Sequence, residues 1–270
     1  MTVLHIWNTA GVASLMARSL RGIGIKADVL MRASHDPFQF GLFYGFDPLD
    51  LDSKKFTAVS VSKAKQYDII HVHSAHRILP QLREEYPLKR IVYQAHGGEI
   101  TNGDPAEYIS NISKADAVIS STKDLNEILL NAGIENTLIM NAVDTYLFKD
   151  TSSERSGDLL MQLPYLNMDE TIRISKQYSE NFTIFNRANH IPFWSMPELL
   201  NKYDRFIDVK VGTWMDEPTQ ARSKTALEAL ACGCTVINYD GTISKGLPEE
   251  NRPEYQLNKL KQIYDTEKHF

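Results

Sequence analysis

Short apolar runs rich in β-branched residues alternate with helix-period segments through the first half of the chain. The runs fall at Val3–Ile6, Asp28–Leu30, Ile69–Val72, Ile91–Tyr93, Ala117–Ile119 and Leu138–Ile139. Between them the 3.6-residue period predicts helices at Val12–Leu20, Thr57–Lys65, Ile78–Glu84, Tyr108–Ile112 and Leu125–Ala132. Strands separated by helix-length segments imply crossover connections and a parallel sheet covered on both faces. Gly22 and Gly133 follow helical patterns where a C-terminal cap is expected.

The second half repeats this logic on a smaller scale. The polar stretch Ser152–Gly157 reads as a boundary. Helices are predicted around Leu159–Leu163, Asp169–Tyr178 and Lys224–Ala231, and strands at Phe182–Phe185, Phe206–Val209 and Thr235–Asn238. An amphipathic tail near Arg252–Glu267 places Leu257, Leu260, Ile263 and Tyr264 on one face. The expected organisation is an α/β domain over 1–150, a smaller α/β domain over 151–250, and a terminal helix over 251–270.

Composition narrows the function class. The 270 residues are 43% hydrophobic and 23% charged, ample for a core. A net charge of −5 spread without blocks argues against a nucleic-acid coat, so no nucleic-acid partner is expected. Cys232 and Cys234 are too close together to staple a loop. The N-terminus lacks the basic region and apolar stretch of a secretory signal. No apolar run approaches the ~18–20 residues of a membrane span, so a cytoplasmic protein is expected.

Open parallel sheets bind ligands beyond the C-terminal ends of their strands. After the first strand, Asn8-Thr9-Ala10-Gly11-Val12 leads into a helix; Gly11 either lets amides approach an anion or makes a tight turn. Arg21-Gly22-Ile23-Gly24 resembles half a dinucleotide fingerprint but follows a helix, which excludes it. His71 and His73 share one strand face. No carboxylate or Cys joins them at ligand spacing, so no metal is assigned, and His73 and Ser74 are expected to project from the strand's end. His96, beside Gly97 and Gly98 at another strand end, is placed for hydrogen bonding or proton handling. The segment Lys224-Thr225-Ala226-Leu227-Glu228 begins a helix whose free amides suit a phosphate. Glu228 is expected in the first turn, either accepting ribose hydroxyls or simply complementing the helix dipole.

Asp68–His73, Tyr93–Gly97, Met140–Phe148 and Ala226–Gly233 occur in that order and resemble successive blocks of the retaining, nucleotide-sugar-dependent glycosyltransferases of the GT-B fold, the group-1 (family 4) class. The resemblance spans about residues 1–148 and 204–240. It implies two Rossmann-like domains with parallel sheets facing a cleft, the acceptor on the first, the nucleotide sugar on the second, and the terminal helix packing back on the first. The donor would be a UDP- or GDP-sugar and the acceptor a glycan or lipid-linked molecule. Position by position, Gly11 would face the donor phosphates and His96 the reacting sugar. His73, Ser74 and Gly97 would lie on the acceptor side. Thr225, Ala226 and Leu227 would offer amides to the diphosphate, and Glu228 would take the ribose. Arg187, Arg222 and Lys224 are candidate phosphate partners, so that no metal or other cofactor is required.

Three departures stand out. Gln220 occupies the position where the family usually has a second Glu near the transferred sugar. Ala221-Arg222-Ser223-Lys224 stands where the family has a glycine-rich stretch, and Ala142 likewise replaces the Gly of the Asn-Gly-Val-Asp segment. The second domain is short, and Phe182–His190 is a weak remnant of its phosphate-binding stretch. A transferase is therefore expected, with a catalytically inactive nucleotide-sugar-binding or partner protein as the alternative. The aromatic stretch Pro37–Phe46, with Lys54, Lys55, Lys63 and Lys65 nearby, suggests an acceptor platform, an inward-folded loop, or a weak peripheral contact with anionic membrane.

Overall fold

A computed structural model describes residues 1–101, 104–151, 154–163, 165–186, 191–213 and 217–265. It divides into two compact units, Met1–Ala142 joined by the C-terminal segment from Pro253, and Val143–Arg252. Each is an α/β unit built on its own sheet.

In the first unit, β1 (Thr2–Ile6), β2 (Lys26–Leu30), β3 (Ile69–His73), β4 (Arg90–Ala95), β5 (Ala117–Ser120) and β6 (Thr137–Leu138) form one parallel sheet in the order β2-β1-β3-β4-β5-β6. All five residues of β3 are buried, as expected of a parallel strand covered on both faces. One face is apolar: Leu4, Ile6, Ile70, Val72, Ile91 and Tyr93 pack with Phe56, Leu79, Leu82 and Tyr108 from the covering helices. The other face carries His5, His71 and His73, with His5 in register with His71. The first helix runs from Val12 through Gly22, and the left-handed turn falls at Gly24 (φ +82°) instead of the expected Gly22. The chain therefore continues helical through Gly22, and Ile23 forms the cap.

In the second unit, β7 (Asp158–Gln162), β8 (Thr183–Asn186), β9 (Arg205–Asp208), β10 (Thr235–Asn238) and β11 (Ile243–Ser244) are ordered β11-β10-β9-β7-β8, with only the β10–β11 pair antiparallel. The helix expected at Leu159–Leu163 is thus the inner strand β7. A short apolar run does not distinguish the two by period, and pairing on both sides decides for the strand. Asp158 at its head is buried and receives two 2.6 Å hydrogen bonds from the Arg205 guanidinium. Leu160, Ile174, Ile207, Val209, Val211 and Ile237 form the core of this unit. Cys232 and Cys234 are free and buried, and burial pushes their thiols up to about 12 and about 11.

The terminal helix Pro253–Asp265 packs on the helix Val12–Gly22 of the first unit. Leu260, Ile263 and Tyr264 are its buried stripe, and Gln256 donates to the Met140 carbonyl at 3.2 Å. The Tyr264 hydroxyl reaches His71 Nδ1 at 2.7 Å, closing the helix over the histidine face of the sheet. Tyr264→Phe leaves a buried imidazole nitrogen without its partner, and is expected to destabilise the protein by about 1–3 kcal/mol in urea denaturation with little change in far-UV circular dichroism.

Candidate functional site

The strand order of the first sheet reverses between β1 and β3, so the loops leaving these strands diverge. A cavity of about 380 Å³ opens there, lined by Trp7 after β1, Ser74–Ile78 after β3, Glu99 after β4, and Ser53, Phe56 and Thr57. This is where an open α/β sheet places a ligand. Two lining residues hold left-handed backbone without being glycine, Trp7 (φ +74°) and Ser74 (φ +54°). Such conformations cost about 1–3 kcal/mol and concentrate at functional sites. Here they are held by neighbours: Trp7 N–H donates to Leu30 C=O at 2.8 Å, Ser74 N–H donates to Gln94 C=O at 3.1 Å, and the Ser74 hydroxyl meets that of Thr9 at 2.9 Å. Trp7 packs edge-on against Phe56 at 5.7 Å, giving the cavity an aromatic wall.

Ser74 therefore lies in the cavity, as a residue leaving a strand end should. His73 does not project outward as expected: it is fully buried. Its Nδ1 lies 3.2 Å from His96 Nε2 and its Nε2 lies 3.0 Å from His5 Nδ1. His96 is half-buried, and its backbone N–H donates at 2.7 Å to Glu99 Oε1, which also accepts from the Tyr93 hydroxyl. Gly97 (φ +109°) turns the chain at this point. Burial lowers the pKa of His5 to about 3 and holds His71 and His73 well below the ordinary imidazole value, so all three are neutral near pH 7. Sequence reasoning missed His5, whose only link to the other two is the pairing register, and Trp7.

Gly11 (φ +74°) precedes the helix Val12–Gly22, and a Cβ there would meet the Phe40 ring at 2.5 Å. Phe40 belongs to the short helix Phe40–Phe43, whose start is fixed by Asp36 accepting from the amides of Phe40 and Gly41 at 2.8 Å each. The aromatic stretch therefore folds largely inward, with Tyr44 and Phe46 buried and Leu42 53% exposed.

In the second unit a smaller pocket of about 170 Å³ is lined by Asp208, Gln220, Arg222, Asn238, Tyr239, Asp240 and Thr242, at the C-terminal ends of β9 and β10. Arg222 donates to Ser244 Oγ at 2.8 Å and to Asn238 Oδ1 at 3.3 Å, while its buried Nε has no partner among the described residues. Ser223 caps the adjoining helix Lys224–Ala231, its hydroxyl accepting from Ala226 N–H at 3.0 Å and its own N–H donating to Asp208 at 2.9 Å. The Leu227 amide donates to the Ser223 carbonyl. Of the three amides assigned to a diphosphate, Thr225 is the one not engaged within the described residues.

Since Ser223 fixes the helix start, Glu228 is the fifth helical residue, beyond the first turn where it was expected. It is 5% exposed. Lys224 is half-buried; burial lowers its pKa, and Glu228 and Asp144 pull it back up. Arg187 lies outside the described residues. His96 and Gln220 belong to different units.

No protein-family model matches the sequence, and no curated protein matches it. Solved structures do. The chain is similar to S. aureus MnaA, solved with UDP, at 11% identity and TM-score 0.53 over 98% of this chain and 88% of that one. A UDP-N-acetylglucosamine 2-epimerase matches at 13% identity and TM-score 0.49, over 97% of this chain and 87% of that one. MurG from Acinetobacter baumannii matches at 11% identity and TM-score 0.47, over 97% and 83%. At such identities the likeness is one of fold, and the two sheets with their returning terminal helix have the architecture of the GT-B fold.

Proposed function

We propose that the protein is a cytoplasmic glycosyltransferase that moves a sugar, with retention, from a UDP- or GDP-sugar to a glycan or lipid-linked acceptor. The pocket at the ends of β9 and β10 carries this reading. A guanidinium with an unpartnered Nε and a Ser-capped helix start stand side by side there, a combination suited to a phosphate. Departure of a diphosphate leaves negative charge on the phosphate and oxocarbenium character on the sugar. Arg222, Lys224 and the Thr225 amide would meet the first without a metal ion, and the Gln220 amide would hold hydroxyls of the sugar. Glu228 would accept the ribose hydroxyls.

On the first unit, Ser74 and the aromatic wall of Trp7 and Phe56 would receive the acceptor, since aromatic faces pack on the apolar faces of sugars. His73 and Gly97 would support it from behind, His96 would handle the proton, and Gly11 would face the donor phosphates. Among the described residues no helix is long and apolar enough to cross a membrane. The exposed Leu42 and the exposed lysines 54, 55, 63 and 65 would give a weak peripheral contact with anionic lipid.

A thermal-shift screen of nucleotides and nucleotide sugars, followed by a donor-turnover assay, tests the reading. A ligand at a hundred times its Kd stabilises by about 2.7 kcal/mol. Nucleotide binding without turnover would favour a binding protein that has lost catalysis, a reading that Gln220 in place of a carboxylate specifically supports. Glu228→Ala is expected to weaken nucleotide binding by roughly 10–100-fold, the loss of charge-assisted hydrogen bonds of about 1.5–3 kcal/mol. Unchanged affinity in a folded variant would remove the proposed site. Gln220→Glu restores a charge near the developing cation and is expected to raise turnover roughly tenfold, at about 1.4 kcal/mol per decade, with nucleotide affinity unchanged. Flotation with liposomes is expected to show salt-sensitive binding to anionic vesicles and little to neutral ones; equal binding to both removes the electrostatic contact.

A further inference from the structure

The polar face of the first sheet holds more than the transfer reading uses. His5, His71, His73 and Gln94 are all fully buried on it, contributed by three adjacent strands. Register sets His5 beside His71 and His73 beside Gln94, so the four form one layer beneath the terminal helix. Four atoms in this layer, His5 Nε2, His71 Nε2 and both polar atoms of Gln94, have no partner among the described residues. A buried polar atom without a partner costs about 1–3 kcal/mol; a bound ion would remove that cost at His71 Nε2, whose other nitrogen is already bonded to Tyr264.

We propose that His5, His71 and His73 bind a late first-row transition-metal ion of the zinc class, an inference independent of the glycosyltransferase reading. One nitrogen from each of the three imidazoles lies within 4.8 Å of the others. The His5 Nδ1 to His73 Nε2 pair is already at 3.0 Å. Metal–nitrogen bonds of about 2.0–2.1 Å in a tetrahedral site put ligand nitrogens roughly 3.4 Å apart, within reach of small ring rotations. Metal-bound imidazoles generally have their second nitrogen held by a hydrogen bond. Two of these three do: His71 Nδ1 meets the Tyr264 hydroxyl at 2.7 Å, and His73 Nδ1 meets His96 Nε2 at 3.2 Å. Register brings the Gln94 side chain to the same face as His73, and its buried oxygen has no partner among the described residues. An all-imidazole donor set selects zinc, copper or nickel over magnesium or calcium. Ligation through His73 Nε2 would keep its proton on Nδ1, donated to His96, so the ion would also fix the tautomer of His96.

The full-length protein, stripped with chelator and shown folded by circular dichroism, is titrated with Zn²⁺, Co²⁺ and Mg²⁺ separately. One equivalent of Zn²⁺ is expected to bind and raise Tm, Co²⁺ to give the visible absorption of a four-coordinate nitrogen-rich site, and Mg²⁺ to do neither. His5→Ala and His71→Ala should weaken Zn²⁺ binding at least 100-fold. Tyr264→Phe, which removes an orienting bond, should weaken it about 10–100-fold. His35→Ala, at an exposed position on another loop, should leave it unchanged. A folded wild-type chain that takes up no Zn²⁺, or takes it up equally with Mg²⁺, overturns the proposal, as does binding lost in His35→Ala. Should the histidine variants fail to fold, the wild-type stoichiometry and the cobalt spectrum decide alone.

Discussion

The register of β1 against β3 is the constraint on which the first unit depends. It sends Leu4, Ile6, Ile70 and Val72 into the apolar core and His5, His71 and His73 to the opposite face. A slip of one residue would exchange the two sets, driving imidazoles against Phe56, Leu79 and Leu82. The same pairing is the point where strand order reverses, so the loops after Ile6 and His73 part and leave room for a ligand. Core, histidine layer and cavity are three consequences of one set of backbone hydrogen bonds. The left-handed turns at Trp7 and Ser74 come where each residue leaves the sheet while its amide stays bonded to the outer neighbour, Trp7 to Leu30 of β2 and Ser74 to Gln94 of β4.

In the second unit the corresponding constraint is the helix start at Ser223. Its side chain caps the helix and its amide is anchored on the buried Asp208 at the end of β9, so helix and sheet are fixed to each other through one residue. The backbone just before it presents Gln220 and Arg222 to the pocket. The Lys210 ammonium, donating to the Ala221 carbonyl at 2.8 Å and lying 3.6 Å from Asp208, braces the same strip of chain. Positive groups are thus gathered at the strand ends, while of the two carboxylates lining the pocket Asp208 is committed to a backbone amide and a lysine and Asp240 accepts from the amide and hydroxyl of Thr242.

Alternation of apolar runs and helix-period segments made the two α/β units legible, because a parallel strand must be apolar throughout and its crossover helix amphipathic. The strand β7 was not legible: Leu159–Met161 is too short for its period to distinguish strand from helix, and only pairing with β8 and β9 settles it. His5 was invisible for a different reason. A single histidine in an apolar strand has no spacing signature, and its proximity to His71, 66 residues away, exists only through register. The helix start at Lys224 was legible, since Ser223 is a good N-cap followed by good helix formers; counted from it, Glu228 is the fifth residue, which puts it just past the first turn. Trp7 had no local signal, since a left-handed backbone at a bulky residue is imposed by tertiary structure alone.

The histidines of the first unit divide by environment into two kinds of chemistry. Burial holds His5, His71 and His73 neutral, which disqualifies them as general acids near pH 7 and suits them to hydrogen bonding or ligation. His96, at the end of the same chain of imidazoles, is the half-buried member of the chain. Its orientation is set from two sides, by the Glu99 carboxylate on its own amide and by His73 on its ring. Because Glu99 also lines the cavity, a ligand there would act on the same loop that carries His96. The buried histidines thus bear on the half-buried one: the His73 ring meets the His96 ring at 3.2 Å, so the tautomers of the two are linked.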